Sequence, residues 1–370
     1  MQRTFRIGTL AIVLLAAACV FAQHRQVTDE EVMRVHRAAL LIDGHNDVTS
    51  RTVAGFDIAK PSADGHTDLP RMKAGGMGAQ FFAAYVSVKY MENNQSAHRA
   101  LQMIDTIRHD IVEKNPAEFM LARTAAEIEQ ARREGKIAAL IGVEGGHAME
   151  EDLRLLRQFY ALGARYLSFT HTRHLSWAGS SGEVGQVGLN EFGRAVVAEM
   201  NRLGMMIDVS HLSDKTIADT LAVTRAPVFA SHSSCRALAN VPRNLTDGQI
   251  RDIARGGGVI MVNFACDFLV PRPRRKATLD DVVAHIERIR QVGGIGAVGL
   301  GSDFDGVSCT PEGLEDVSKW PNLTRRLLER GYPEREIQQI YGGNFLRFMR
   351  AVEQAAGSRP GGASRGGGRG

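Results

Sequence analysis

Six short stretches of the chain end in side chains able to hold a metal ion or move a proton. They are "DGHND" with His45 and Asp47, "GVEGG" with Glu144, "SFTH" with His171, "DVSH" with His211, "ASHS" with His232 and "GSDFDG" with Asp303. Side chains two apart on a strand point to the same face, so His45 and Asp47 aim an imidazole and a carboxylate at one place. One such pair is an ordinary way to enter a loop, and only the whole set argues for a site. Imidazoles and carboxylates without thiolates suit Zn²⁺ or a similar divalent ion. Three histidines and three carboxylates exceed what one tetrahedral site with a water needs. They suit two ions about 3.5–4 Å apart, bridged by a carboxylate and a hydroxide. Glu144 is the natural bridge, because the glycines of "EGG" let the backbone pass close to the ions. The bridging water would become a nucleophile near neutral pH while the ions polarise a carbonyl.

Those residues span the chain from position 45 to position 303, so the fold has to gather them. Eight short apolar runs recur: "LLIDGHND", "AQFFAAYVS", "AALIGVEGG", "RYLSFTH", "MMIDVSH", "PVFASHS", "GVIMVNF" and "AVGLGSDFDG". Between them lie segments such as "TAAEIEQARREGK", "NEFGRAVVAEMNRLG" and "TLDDVVAHIERIRQVGG", with apolar positions at helical spacing and glycine stops. Near-continuous apolar strands alternating with helices indicate a parallel sheet covered on both faces. Eight units predict an α/β fold, a (β/α)8 TIM-type barrel, with a doubly wound open sheet as the alternative. In such a barrel the strand C-termini share one face, and the polar strand ends would converge there. The "GGG" at 256–258 reads as a helix-to-strand turn, since no helix follows it directly.

A chain of 370 residues that is 44% hydrophobic can bury a large core. The net charge of +4 resides in the ends: without Arg3, Arg6, Arg359, Arg365 and Arg369 the body comes to about −1. A near-neutral body gives no support for a nucleic-acid partner. The start, "MQRTFRIGTLAIVLLAAACVFAQ", has the layout of a secretory signal, residues 1–22 with cleavage after Ala22. A competing reading takes "AAAC" as a lipoprotein site that anchors the chain through Cys19. Either way the chain is expected to be exported, to a periplasmic or extracellular location. Residues 23–354 then form the folded domain, and 355–370 a Gly/Arg-rich tail too poor in apolar residues to order itself. Cys235, Cys266 and Cys309 remain after removal of the leader, and three cysteines read as buried or loop thiols, not as a disulfide framework.

The stretches "DGHND", "VEGGHAME", "SFTH", "DVSHLSD", "SHSSCRALANVPRN" and "GSDFDGVSCTPEGLEDVSKWPNL" fall in order from residue 43 to 323. In these the chain resembles the membrane (renal-type) dipeptidases, peptidase family M19 of the amidohydrolase superfamily. The resemblance implies two Zn²⁺ ions. His45 and Asp47 would bind one, Glu144 would bridge both, and His211 and His232 would complete the second site. Asp303 would sit beside the bridging water as ligand and proton shuttle, and His171 would stabilise the oxyanion. Arg243, in "VPRN", would grip the substrate's C-terminal carboxylate, a task that suits a planar, always-charged guanidinium. Arg236 competes for that role, and the family register selects Arg243. Dipeptides, including those with a C-terminal D-residue, are the implied substrates, and a homodimer is common in the family.

Other polar residues near these motifs read as supporting. Asp305 would orient a ligand, and Asp43 would orient His45 or serve structurally. His147 would cap or pack locally, and His174 would be solvated. Renal members carry a substrate-contacting tyrosine after the seventh strand, where this chain offers Phe264 and Phe268. Nor do the cysteines reproduce the mammalian disulfide pattern. The reading is therefore a zinc-dependent dipeptidase acting through a metal-bridging hydroxide. Its rivals are a dizinc amidohydrolase for another amide or a lactone, and a catalytically dead surface binding protein.

Overall fold

In the computed structural model of the protein, residues 26–271 and 275–357 are described. The leader at 1–22, Cys19 and positions 358–370 of the expected tail lie outside them. Residues 355–357, assigned to the tail, instead complete a helix, Asn344–Gly357.

Among the described residues, nine parallel strands carry the fold: β1 (Leu41–Asn46), β2 (Met77–Tyr85), β3 (Phe119–Leu121), β4 (Ile137–Glu144), β5 (Ala164–Ser168), β6 (Met206–Asp208), β7 (Val228–Ala230), β8 (Val259–Val262) and β9 (Val298–Leu300). Their order is β2-β1-β9-β8-β7-β6-β5-β4, and pairing of β2 with β4 closes the ring. The eight apolar runs are its eight staves, so the structure is the expected (β/α)8 barrel. The ninth strand, β3, was not expected. It pairs with Ile137–Ala139 at the start of β4, below the point where β5 takes over from Ile141.

Helices between the strands begin where a side chain can satisfy their first amides. Thr124, Asn190, Ser213 and Thr246 each accept from a backbone N–H of the first turn. The strands are buried on both faces, and their side chains alternate between two cores. Ile42, Phe81, Leu140, Tyr166, Met206, Phe229 and Met261 fill the barrel, where Phe345, Phe348 and Met349 of the last helix join them. Their neighbours Phe82, Ile141, Leu167, Ile207 and Ile260 face the helical layer.

Along β4 this alternation puts Leu140, Gly142 and Glu144 on the inward face. A Cβ at Gly142 would lie 1.9 Å from Tyr166 Cζ, so the glycine makes room for an aromatic ring directly beneath Glu144. Tyr85, Glu144, Ser168 and Asp208 stand level across four strands, which fixes the rim on which the site is built.

Candidate metal centre

Most of the expected site residues sit just beyond their strands, not on them. β1 ends at Asn46, and Asp47 is the residue before the helix Val48–Thr52, with φ −98° and ψ 10°. His45 and Asp47 do meet, Nε2 to Oδ2 at 3.1 Å, but simple alternation is not the reason. A register shift sets Asp43–Asn46 of β1 against Gln80–Phe82 of β2, and the chain then turns into the helix. His171, His211, His232 and Asp303 likewise follow the ends of β5, β6, β7 and β9. His211 and Asp303 hold left-handed backbone, with φ of 69° and 62°. Such conformations cost on the order of 1–2 kcal/mol for residues other than glycine, and surrounding contacts must hold them.

The six expected metal ligands converge. Glu144 is central: its Oε1 lies 2.9 Å from His211 Nε2 and 3.5 Å from His232 Nε2, and its Oε2 lies 3.5 Å from His45 Nε2. His211 and His232 face each other, Nε2 to Nε2, at 2.9 Å. Asp303 Oδ1 is 4.0 Å from His45 Nε2. His171 also reaches the cluster, with Nε2 at 3.7 Å from Glu144 Oε1. Three overlapping groups have all their ligand atoms within 4.8 Å of one another: His45–Asp47–Glu144, His45–His232–Asp303 and Glu144–His171–His211.

These donors fit divalent ions by their chemistry. Burial and the neighbouring Glu144 carboxylate disfavour ionisation of Asp47 and Asp303, whereas burial at Glu144 is outweighed by His45 and His171, which hold it well below its ordinary value. Burial, with Asp47 and Glu144 alongside, pushes the Asp303 carboxyl up to about 7. Burial alone would lower His45, yet the Tyr166 hydroxyl and the Glu144 and Asp47 carboxylates hold it well above its ordinary value. The cluster thus recruits a proton where a cation is wanted. His211 and His232 are pulled well below theirs by burial and by neighbouring cationic groups, which leaves nitrogen lone pairs for a metal. A Cβ on Gly306 would come within 2.3 Å of Asp47 Oδ2 and 2.6 Å of Asp303 Oδ1, so this position must stay bare.

Four supporting residues, Tyr166, Ser231, Asp208 and Asn263, went unread in the sequence. The Tyr166 hydroxyl lies 2.7 Å from His45 Nδ1, and with Nδ1 donating, Nε2 presents its lone pair to the cluster. Ser231 Oγ donates to Asp208 Oδ2 at 2.6 Å and lies 2.6 Å from His232 Nδ1, which fixes that ring in the same way. Asn263 donates to Asp303 Oδ2 at 2.8 Å. Asp43 accepts from the Ser302 amide and hydroxyl at 2.7 and 2.6 Å, and so ties the loop before Asp303 to β1.

Asp305 serves the rim and touches none of the six ligands. It accepts from the His66 amide at 3.0 Å and from Arg51 at 3.3 Å, and its own amide donates to His66 Nδ1. His147 is buried, and burial pulls its pKa down to about 4. His174 accepts from the Ser180 amide through Nδ1 and orders its own loop.

Above the cluster opens a cavity of about 600 Å³, lined among others by Tyr85, His171, Arg243, Phe268, Gly306 and Ser308. Arg236 is spent elsewhere, donating through both Nη to Asp214 at 2.7 Å. Arg243 is not. Its Nη1 donates to Ser233 Oγ at 2.7 Å and its Nη2 to the His232 carbonyl at 2.8 Å. Its buried Nε has no partner, and no carboxylate pairs with it among the described residues. Phe268, in the region of the expected tyrosine, brings its ring centroid within 5.6 Å of the Arg243 guanidinium carbon. Phe264 packs away from the cavity, against Phe304 and Trp320.

The cysteines correct an expectation. Cys266 and Cys309 are joined in a disulfide at the cavity wall, and among the described residues Cys235 alone is a free thiol, and it is buried. Cys266 and Cys309 stand 43 residues apart in sequence, and the parallel pairing of β8 with β9 sets their two loops side by side.

The membrane dipeptidase family, peptidase family M19, matches residues 29–361. The chain belongs to that family. A metallopeptidase from Rhodobacter sphaeroides, liganded with a phosphinate mimic of the dipeptide L-Ala-D-Ala, is similar at 31% identity, with 85% of this chain and 99% of that one covered and a TM-score of 0.78. The dipeptidase AC, a metallopeptidase of family M19, is 32% identical over 85% of this chain and 98% of that one, also at 0.78. The probable dipeptidase PvdM from Pseudomonas aeruginosa shares the fold, with a TM-score of 0.82 at 24% identity over 88% and 98% of the two chains. The protein is accordingly a metal-dependent dipeptidase, a hydrolase of peptide bonds. The cavity presents, beside the ligand cluster, the Arg243 guanidinium, which is ion-paired to no carboxylate among the described residues.

Proposed function

We propose that this dipeptidase cleaves free dipeptides to amino acids with two Zn²⁺ ions, held by His45, Asp47, Glu144, His211, His232 and Asp303. Glu144 would be shared between the two sites, a reading supported by its Oε2 lying towards His45 and its Oε1 towards His211 and His232. Bound there, zinc supplies Lewis acidity to a carbonyl oxygen and lowers the pKa of water towards neutrality.

The chain's own residues do the rest. Arg243 binds the substrate's C-terminal carboxylate with the donors it does not spend on Ser233 and His232, and so sets which peptide bond lies over the cluster. His171, on the cavity wall, donates to the oxyanion that develops on the scissile carbonyl. A carboxylate oxygen of Asp303 takes the proton of the attacking water and returns it to the leaving amine. Asn263, bonded to Oδ2, holds that carboxylate in place.

The observation that carries this reading is a guanidinium with no ion-paired carboxylate among the described residues, in a cavity whose floor is the ligand cluster. A carboxylate one residue from the cut is the partner it lacks. The likeness to a structure that holds an L-Ala-D-Ala mimic supports acceptance of a D-residue on the C-terminal side. The Cys266–Cys309 disulfide supports export, because such bonds persist in oxidising compartments.

The test is a panel of L-L, L-D and C-terminally blocked dipeptides, assayed with and without added zinc. Free L-L and L-D dipeptides should turn over and blocked ones should be poor substrates. Failure of the zinc-loaded protein on every free dipeptide would overturn the reading.

A further inference from the structure

Two loops form one wall of the cavity. The first follows β8 and contributes Ala265, Cys266, Asp267 and Phe268; the second follows β9 and contributes Gly306, Val307, Ser308 and Cys309. Each touches the machinery. Phe268 faces Arg243, and Gly306 abuts Asp47 and Asp303. The first loop is tied to the Arg243 segment by one further bond, from Asn244 Nδ2 to the Phe268 carbonyl at 2.9 Å. The two loops are joined to each other at the wall by the Cys266–Cys309 disulfide and by the Cys266 amide, which donates to the Cys309 carbonyl at 3.2 Å.

We infer that this disulfide positions the carboxylate-binding half of the dipeptide site, through Phe268 and Arg243, and leaves the metal-binding half to stand without it. The inference rests on the dipeptide reading of the cavity. Its physical basis is the separation of supports. The metal ligands are held by bonds that do not pass through either cysteine: Tyr166 to His45, Ser231 and Asp208 to His232, Asn263 to Asp303. Phe268 lies in a helix of only four residues, Cys266–Leu269, whose first residue is the disulfide cysteine. A single turn has little stability of its own, so its place depends on what its ends are fastened to. With the bond cut, the wall opposite Arg243 loosens. Ground-state grip on the substrate weakens while the reacting centre is unchanged, which raises KM and spares kcat.

The bond can be cut chemically as well as by substitution. A phosphine reductant breaks the S–S bond, each sulfur takes up one electron and one proton, and the phosphine leaves as its oxide with oxygen from water. Cys309 is half-buried at the wall, within reach of solvent.

The experiment compares the zinc-loaded wild type with Cys266→Ala/Cys309→Ala, and each of these with and without phosphine, on a free dipeptide. The expected result is a KM raised about tenfold or more by either the substitutions or the reductant, with kcat within about twofold and metal content per chain unchanged. The reductant should have no further effect on the double variant, which excludes its acting on the metals. An unchanged KM would overturn the inference. So would parallel loss of kcat and metal, which would make the bond a general support of the fold, and so would three reactive thiols in the denatured, unreduced enzyme truncated after its leader. A wild type that cleaves no dipeptide would overturn the underlying reading and the inference with it; a wild type that cleaves normally, beside an unaffected variant, would overturn the inference alone.

Discussion

Replacing Arg243 by lysine keeps a positive charge near the same place and removes the planar fork. Two of the five guanidinium N–H groups are used on Ser233 and the His232 carbonyl and the Nε N–H is buried, so two Nη N–H groups remain for substrate. A hydrogen bond to a charged group contributes about 1.5–3 kcal/mol, and a paired carboxylate would take two of them. Since the residue is only half-buried, the lower end applies: about 3 kcal/mol, or roughly 10²-fold in kcat/KM for a free dipeptide. Arg243 also braces the His232 backbone, so part of any loss has nothing to do with the carboxylate. Measuring kcat/KM of the wild type and Arg243→Lys on a free dipeptide and on its C-terminal amide separates the two contributions. Loss of bracing lowers both substrates alike, whereas loss of recognition falls on the free dipeptide and narrows the preference of the wild type for it. Equal losses on both substrates would refute the assignment of Arg243 to the carboxylate.

Gly306→Ala should lower bound metal and activity together by at least about tenfold, because its Cβ would displace both Asp47 and Asp303. Gly296→Ala, with nothing within 4 Å, is the silent control in metal analysis. Tyr166→Phe removes the hydroxyl beside His45 Nδ1 and should weaken metal affinity about 10- to 100-fold, read by competition with a chelator. Buried His285 accepts from the Cys235 amide through Nδ1, and burial pulls its pKa down to about 4. The unfolded ring, at about 6.5, binds its proton first, so this contribution is complete above about pH 6.5 and is lost as the pH falls towards 4. Urea unfolding at pH 7 and pH 5 should therefore show the wild type losing about 2 kcal/mol more than His285→Gln over that interval.

The fold was legible because every stave of the barrel is an apolar run followed by a polar terminus. β3 escaped notice because Phe119–Leu121 is too short to show a period. The site residues were legible by type and by family motif, yet the geometric reason offered for His45 and Asp47 was incomplete. It assumed an unbroken strand, where a register shift and a helix start do the aiming. Tyr166, Asp208 and Asn263 could not be read, because which side chain meets which across a barrel depends on register and closure, and a local pattern carries neither. Cys266 and Cys309 looked like unrelated loop thiols, because a local pattern does not show that β8 pairs with β9 and sets their loops side by side. Arg243 was separated from Arg236 by motif alone; the physical distinction, that Asp214 already satisfies Arg236, exists only in the folded chain.

Glu144 is proposed to stand between two ions, and anomalous diffraction from zinc-loaded crystals tests that directly. Two zinc peaks per chain, each within ligand distance of one Glu144 oxygen, are the predicted result. A single peak, none at all, or ions bound clear of Glu144 would contradict it.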